Sequence, residues 1–325
     1  MLYNLGIMRF FTLILLVVFT QACAQNTKDP QAFKTLWVED ASGFGLTPDF
    51  LETSESDQRR LIAAFTGESA IQGTQKITRR WSTEERSLSR QFLSKMLNDI
   101  GIEPRKASYE MNLPQLNKQQ NPAKGTNLYA VIESTSPSDE YIVLGAHYDS
   151  VEEAPGASDN ASGCALVYAV AKAMMRQEKR SKNLMIVFFD KEEVGHAGAI
   201  AFAAFLKEQQ FKVHSVHTVD QVGWDADGDR NIELELPTPE LKEVYRKHAK
   251  TFDIKAYRTN ETGSDHKDLR AAGFNAVGIT EEYRRGDTSP YHHDPKDKLE
   301  TVNFDYLGFV SYFVFKVLMD LIENN

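Results

Sequence analysis

The chain has 325 residues, 42% of them hydrophobic and 26% charged, with a formal net charge of -9. That length and composition allow one sizeable globular core. The negative balance argues against general nucleic-acid binding, which needs a basic face for phosphates, and no repeat or low-complexity tract points to a fibrous or disordered class.

At the N-terminus, Arg9 precedes an apolar run from Phe10 to Phe19. The run is too short to span a bilayer and has the length of a signal-peptide core. Two processing readings stay open. Ala22-Cys23-Ala24 fits cleavage after Ala24, and Ala22 before Cys23 also fits a lipoprotein box with the lipid on Cys23. Both imply export to the periplasm, cell envelope or medium, and a membrane contact only through that lipid. Residues 1–24 are therefore read as a signal peptide, 25–61 as a polar tether and N-terminal extension, and 62–325 as one α/β domain. Cys23 and Cys164 are the two cysteines, so a disulfide framework is not expected. Cys164 lies in an apolar helical stretch and reads as a small buried residue.

From Ser82-Thr83-Glu84-Glu85 a capped helix is predicted, with Leu88, Phe92, Leu93, Met96 and Leu97 at helical spacing and Gly101 as its stop. Leu113 to Thr126 reads as a connection. Asn127–Glu133 and Tyr141–Leu144 then read as neighbouring strands, and Ala161–Met175 as a helix. Asn183–Asp190 is a buried strand, Ala197–Glu208 a helix and Val216–Asp220 a strand. A strand at Ile232–Leu236, a helix from Pro239 to about Lys250 and a helix near Asp265–Ala271 follow. A strand at Ala276–Thr280 and a last helix over Phe304–Ile322 complete the pattern. Strands alternating with helices predict an α/β fold with a mixed, mostly parallel central sheet covered on both faces.

Four strand ends carry polar residues that core packing does not explain: His147 and Asp149, Glu192-Glu193, Asp220, and His293 in the loop PYHHDPKD. Open α/β sheets bind ligands along this edge. Imidazoles and carboxylates without thiolates are the donors of zinc. His147, Asp159, Glu193, Asp220 and His293 make five ligands, more than one tetrahedral ion needs. Two ions about 3.5–4 Å apart, bridged by one carboxylate, would use them all. Asp159 is the bridge candidate. Asp149 would orient His147 through a hydrogen bond, and Asp297 would do the same for His293. Glu192 is left as the general base that takes a proton from the attacking water. Each residue alone has a plainer explanation, Asp159-Asn160 as a helix N-cap for example; the conjunction along one sheet edge favours the metal site.

The order His-x-Asp (147–149), Asp-Asn-Ala-Ser-Gly (159–163), Phe-Phe-Asp-x-Glu-Glu (188–193), Val-Asp-x-Val-Gly (219–223) and His-x-Pro-x-Asp (293–297) resembles the co-catalytic di-zinc aminopeptidase family. That family also contains glutamate-carboxypeptidase-type enzymes, glutaminyl cyclases and the transferrin-receptor ectodomain. The resemblance runs from about Ser82 to the C-terminus. It implies a zinc-peptidase fold, two Zn2+ and peptide substrates. It places His147 and Asp220 on one zinc and Glu193 and His293 on the other, with Asp159 bridging and Glu192 as base. Two departures stand out. His292 occupies a position where the family often has Tyr, which leaves it a rival to His293, and His196 follows Glu-Glu-Val-Gly, where it reads as a surface helix residue. Ser264-Asp265-His266 resembles a substrate-side loop, or is an N-cap beside an exposed His. Arg284-Arg285 are solvated, or grip a substrate carboxylate.

The expected activity is that of an exported aminopeptidase. The alternatives are a carboxypeptidase or dipeptidase, leaning on Arg284 and Arg285, and a glutaminyl-peptide cyclotransferase. By the same resemblance, cyclases depart from the Asp-Asn-Ala-Ser-Gly run that this chain keeps.

Overall fold

The computed structural model describes residues 49–114, 116 and 122–323. The signal peptide and Cys23 lie outside the described residues. In chain order the elements are α1 (Asp49–Thr66), α2 (Thr83–Asp99), β1 (Arg105–Met111), β2 (Ala123–Ile132), β3 (Glu140–His147), a π-type turn over Ala157–Ser162, α3 (Gly163–Met175), β4 (Asn183–Phe189), α4 (Ala197–Glu208) and β5 (Lys212–Val219). Then come β6 (Ile232–Glu235), α5 (Pro239–Thr251), β7 (Ala256–Thr259), α6 (His266–Ala271), β8 (Ala276–Thr280), a 3-10 turn over Leu299–Thr301 and α7 (Phe304–Glu323).

The eight strands form one sheet in the order β1-β2-β4-β3-β5-β8-β6-β7. The middle run β4-β3-β5-β8 is parallel throughout. β1 and β2 join antiparallel at one side, and β6 pairs antiparallel with β8 at the other. The expected mixed α/β sheet is therefore present. The parallel strands bury both faces because their side chains alternate between two cores. Leu184, Ile186 and Phe188 of β4 face the larger core, with α1, α2, α3, α5 and α7. Met185, Val187 and Phe189 face the smaller one, which α4 closes with Phe202 and Leu206 and α6 with Leu269.

Three expectations change. The stretch expected to be a tether through Leu61 is helical from Asp49. Its polar residues are not all solvated: Gln58 is fully buried and donates from Nε2 to Ser311 Oγ of α7 at 2.8 Å. This helix closes one side of the larger core with Leu61, Ile62 and Phe65. The connection expected over Leu113–Thr126 is shorter, because β2 already starts at Ala123. β1 and β7 were not anticipated, since both are short, half-exposed edge strands whose pairing partner supplies what their composition lacks. Helix α2 has the expected cap, with Ser82 Oγ accepting from Glu85 N and Glu85 accepting from Ser82 N.

Helix α7 is the hub of the larger core. Phe313 is fully buried, with ring centroids of Phe252 and Tyr245 at 5.4 and 6.0 Å. Phe313→Ala removes this contact and leaves a cavity, so unfolding free energy should fall by about 3–5 kcal/mol, measured by denaturant titration.

Candidate metal centre

The four parallel strands end side by side, and the loops after them supply the polar residues. His147 closes β3 and is fully buried. Its Nδ1 lies 3.2 Å from the backbone O of Asp149, so the proton belongs on Nδ1 and Nε2 turns outward as a ligand atom. Nε2 stands 3.3 Å from both Asp159 Oδ1 and Asp220 Oδ1. On the other side of Asp159, Oδ2 lies 3.2 Å from His293 Nε2 and 3.3 Å from His292 Nε2. His293 Nε2 is also 3.1 Å from Glu193 Oε2. The two oxygens of Asp159 thus face two separate donor sets.

The segment that presents Asp159 is held at every residue. Asn160 donates to Val219 O at 2.7 Å, tying the turn to the end of β5, and accepts from Gly163 N at 2.9 Å. A Cβ on Gly163 would sit 2.2 Å from Asn160 Oδ1, which is why glycine opens α3. Ser162 Oγ donates to Ser158 O and accepts from Val222 N. Asp297 accepts from Ser158 N at 2.8 Å and Asp159 N at 3.1 Å. Asp297 therefore orients the Asp159 loop and not His293, a correction to the sequence reading. Of the Asp159-Asn160 pair expected as an N-cap, Asn160 alone behaves as one, with non-helical backbone angles and a side-chain oxygen that accepts from Gly163 N, while Asp159 faces the histidines.

Asp149 repeats the device on the next loop. It sits 3.5 Å from His147 Nδ1, and its two oxygens accept from Glu192 N at 3.0 Å and Glu193 N at 3.2 Å. The carboxylate thus places the Glu192-Glu193 pair as well as touching the imidazole. Glu192 Oε2 then lies 3.9 Å from His147 Nε2.

His196 was expected on the surface. Instead its Nδ1 lies 2.7 Å from Asp268 Oδ2 and its Nε2 3.4 Å from Glu192 Oε1. Neither His266 nor Asp265 matches a plain cap. Both are buried, Asp265 makes no capping bond, and His266 Nε2 pairs with Glu261 O at 2.9 Å. Arg80, unremarked in the sequence, is fully buried and donates to the backbone oxygens of Tyr148, Phe65, Pro155 and Gly156. It fastens the loop that leads from His147 to Asp159. An Arg79-Arg80 pair in a polar stretch gives no sequence signal for this, and His196 and Asp268 meet only in the fold. Cys164 is buried as expected, its thiol pushed up to about 12 by burial, and Sγ faces His147 O.

Packing this many carboxylates together strains their ionisation. Burial, with Glu193, Asp220 and Asp265 nearby, raises Glu192 well above the usual carboxylate range. Burial and the charge of Asp159 push Glu193 up to about 7. Asp159 stays well below its ordinary value despite burial, because His147, His292 and His293 all hydrogen-bond to it. Asp159 and Glu193 lift His293 to about 10. By themselves the protein groups can settle this cluster only by sharing protons, whereas a divalent cation settles it directly. The donor set fits one. His147, Asp159 and Asp220 bring ligand atoms within 4.8 Å of one another, as do Asp159, His292 and His293, and His147, Glu192 and Glu193. Glu193 Oε1 is buried without a hydrogen-bond partner. Imidazole nitrogens and carboxylate oxygens are the donors that zinc-type cations take.

A model of peptidase family M28 matches residues 127–317, more than half of the chain and all of the site residues above except Arg80. The chain belongs to peptidase family M28. Among curated relatives, aminopeptidase YwaD of Bacillus subtilis is 26% identical over 174 residues, covering 52% of this chain and 38% of the relative. The matches to this and the other relatives span about half of their length or less than two thirds of it, from 38% to 56%. Among solved structures, BSAP, a zinc aminopeptidase from Bacillus subtilis, aligns with TM-score 0.71 at 12% identity, over 85% of this chain and 95% of that chain. Porphyromonas gingivalis glutaminyl cyclase aligns with TM-score 0.67 at 16% identity, over 84% and 98%. At these identities the two structures attest the fold.

Asp297→Ala leaves the Ser158 and Asp159 amides without their acceptor and frees the Asp159 loop. Cation affinity should fall about 10–100-fold, read by competition with a chromophoric chelator.

Proposed function

We propose that this M28 chain is a zinc-dependent exopeptidase, an aminopeptidase that hydrolyses N-terminal residues from peptides. The observation that carries the reading is the split of Asp159, with Oδ1 toward His147 and Oδ2 toward His293. In this proposal His147 and Asp220 hold one zinc, His293 and Glu193 the second, and Asp159 bridges them. His293 is preferred to His292 because it also reaches Glu193, whereas His292 reaches Asp159 alone. The name of the Bacillus subtilis structure, a zinc aminopeptidase, supports the choice of ion. The apolar run Phe10–Phe19 followed by Ala22-Cys23-Ala24 supports export.

Bound there, zinc would polarise the scissile carbonyl and bring the pKa of water towards neutrality. The protein groups do the rest. Asp149 fixes the backbone of Glu192, so that its carboxylate faces the donor set. Glu192 takes the proton of the attacking water as the oxygen bonds to the carbonyl carbon. It then returns that proton to the leaving nitrogen as the C–N bond breaks. Burial keeps its affinity for a proton high enough for both transfers. His196, backed by Asp268, holds the second oxygen of Glu192 and limits its rotation. His292 stands at the cleft wall, where its ring can donate to the carbonyl oxygen.

The carboxypeptidase alternative loses its anchor. Arg284 pairs with Glu261, and Arg285 pairs with Glu282 and stacks 3.8 Å over the ring of Tyr257. Neither lines the cleft.

Glu192→Gln should lower kcat by about 10²–10⁴-fold while zinc content stays at two per chain, measured by elemental analysis beside turnover of aminoacyl substrates. Cleavage of amino-blocked but not free-amino dipeptides would sink the aminopeptidase reading. One zinc per chain with pyroglutamate formed from an N-terminal Gln peptide would replace it by the cyclase. His196→Leu should lower kcat by up to about 100-fold through misplacement of Glu192, leaving KM and zinc content unchanged, and His196→Gln should recover part of it.

A further inference from the structure

A second concave site lies at the edge of the sheet, where the end of α5 meets the start of β7. Its volume is about 390 Å³. Ala249 and Ile254, both buried, give it an apolar floor, Tyr257 gives an aromatic wall, and the exposed Arg246, Lys250 and Lys255 give a positive rim. Among the described residues its lining holds one acid, Asp253. The charge is local. The whole chain carries -9, yet from Lys242 to Arg258 six Lys and Arg face two acids. Some of these cations are matched: Lys242 pairs with Glu243 and Lys247 with Asp320, each at 3.1 Å. Arg246, Lys250 and Lys255 form no ion pair among the described residues. Lys250, in the last turn of α5, answers the helix dipole. Arg246 stands one turn earlier, in a like-charged i,i+4 pair with Lys250 that destabilises the helix. An anion bound between them removes that repulsion.

The site is joined to the cleft beside the donor set. Thr280 lines the cleft and pairs with Glu233 of β6, which pairs in turn with Tyr257 of β7. Two strand spacings, ~9.6 Å, therefore separate the cleft wall from the basic site. Tyr283, Arg284 and Arg285 cross that gap. Tyr283 lines the cleft, Arg284 N donates to both oxygens of Glu233, and the Arg285 guanidinium stacks 3.8 Å over Tyr257. The side chains of Arg284 and Arg285 are matched by Glu261 and Glu282, so the unmatched positive charge stands at the far end of the crossing. An extended peptide advances ~3.3 Å per residue, so about three residues carry it across. We infer that Arg246, Lys250 and Lys255 form an exosite for acidic side chains of the peptide substrate, at about its fourth to sixth residues. This rests on the aminopeptidase reading and adds a substrate class to it, peptides with Asp or Glu downstream of the residue removed. An anionic membrane is the poorer match. Headgroups are met by a projecting cluster of cations, whereas these three rim a recess that continues to the cleft.

The test compares kcat/KM of the zinc-loaded protein on two peptides that share an N-terminal Leu and carry Glu or Gln at the fourth to sixth positions. The Glu peptide should be preferred by about 10-fold at low ionic strength, and 1 M NaCl should remove most of that preference. The double variant Arg246→Glu/Lys250→Glu should bring the ratio to about 1 or below. Leucine p-nitroanilide, too short to reach the site, is the reference substrate. Equal turnover of the two peptides overturns the inference, and so does a preference that survives the double variant. A fall on the anilide as large as on the Glu peptide also overturns it. If no peptide turns over, the hydrolytic reading fails, and the exosite is still tested by fluorescence anisotropy with dye-labelled, amino-acetylated versions of both peptides. Tighter binding of the Glu peptide, lost in the double variant, supports the inference. Equal binding of the two peptides beside charge-dependent sedimentation with phosphatidylglycerol vesicles overturns it in favour of a membrane contact.

Discussion

Four carboxylates, Asp149, Asp159, Glu192 and Asp220, converge on one buried imidazole, His147, and a fifth, Glu193, offers an oxygen within 4.8 Å of it. Negative charge at this density in a low-dielectric interior is unstable unless protons or cations offset it. That single constraint explains much of the surrounding architecture. The acids lie at the carboxyl ends of parallel strands, where loops can bring them together without breaking the ladders. The cores on the two sheet faces lie behind them and keep those strand ends in register.

The loops are fixed chiefly by backbone hydrogen bonds. Asp149 captures two amides of the Glu192-Glu193 turn, and Asp297 captures two of the Asp159 turn. Arg80 works in the opposite sense, gathering backbone oxygens with its guanidinium. A buried charge that satisfies several main-chain groups is costly to lose, because every partner is left unpaired. The backbone also adopts left-handed angles at non-glycine positions beside the donors, namely Lys191, Gln221 and His293. Such strain persists only where the surroundings over-determine it, and it gathers at working sites.

Fold and chemistry divide along the sheet. The loops after β3, β4, β5 and β8 carry the proposed ligands and base, and β6 with the loop through Ser264 lines another part of the cleft. β6 and the loop through Ser264 contribute none of the proposed ligands. In this chain the wall carries Glu235 and Glu261.

The site was legible in the sequence to the extent that it lay in local runs. Apolar strands marked β3, β4 and β5, with His147, Asp149, Glu192, Glu193 and Asp220 at or just past their ends, and His293 stood in the loop beyond β8. Asp-Asn-Ala-Ser-Gly was legible because each of its residues answers a local geometric need, down to the missing Cβ of Gly163. What stayed hidden involved partners far apart in the chain. His196 with Asp268 is one case and Glu235 with His266 another, while Asp297 serves Asp159 where its neighbour His293 was expected. The half-exposed strands β1 and β7 and the polar start of α1 also lacked a periodic signal of their own. By itself the sequence determined which side chains each strand delivers, because pattern and turn chemistry act over a few residues. Only the tertiary structure decided which of them share a hydrogen bond or a cleft, because that depends on strand order and register between segments that no local pattern encodes.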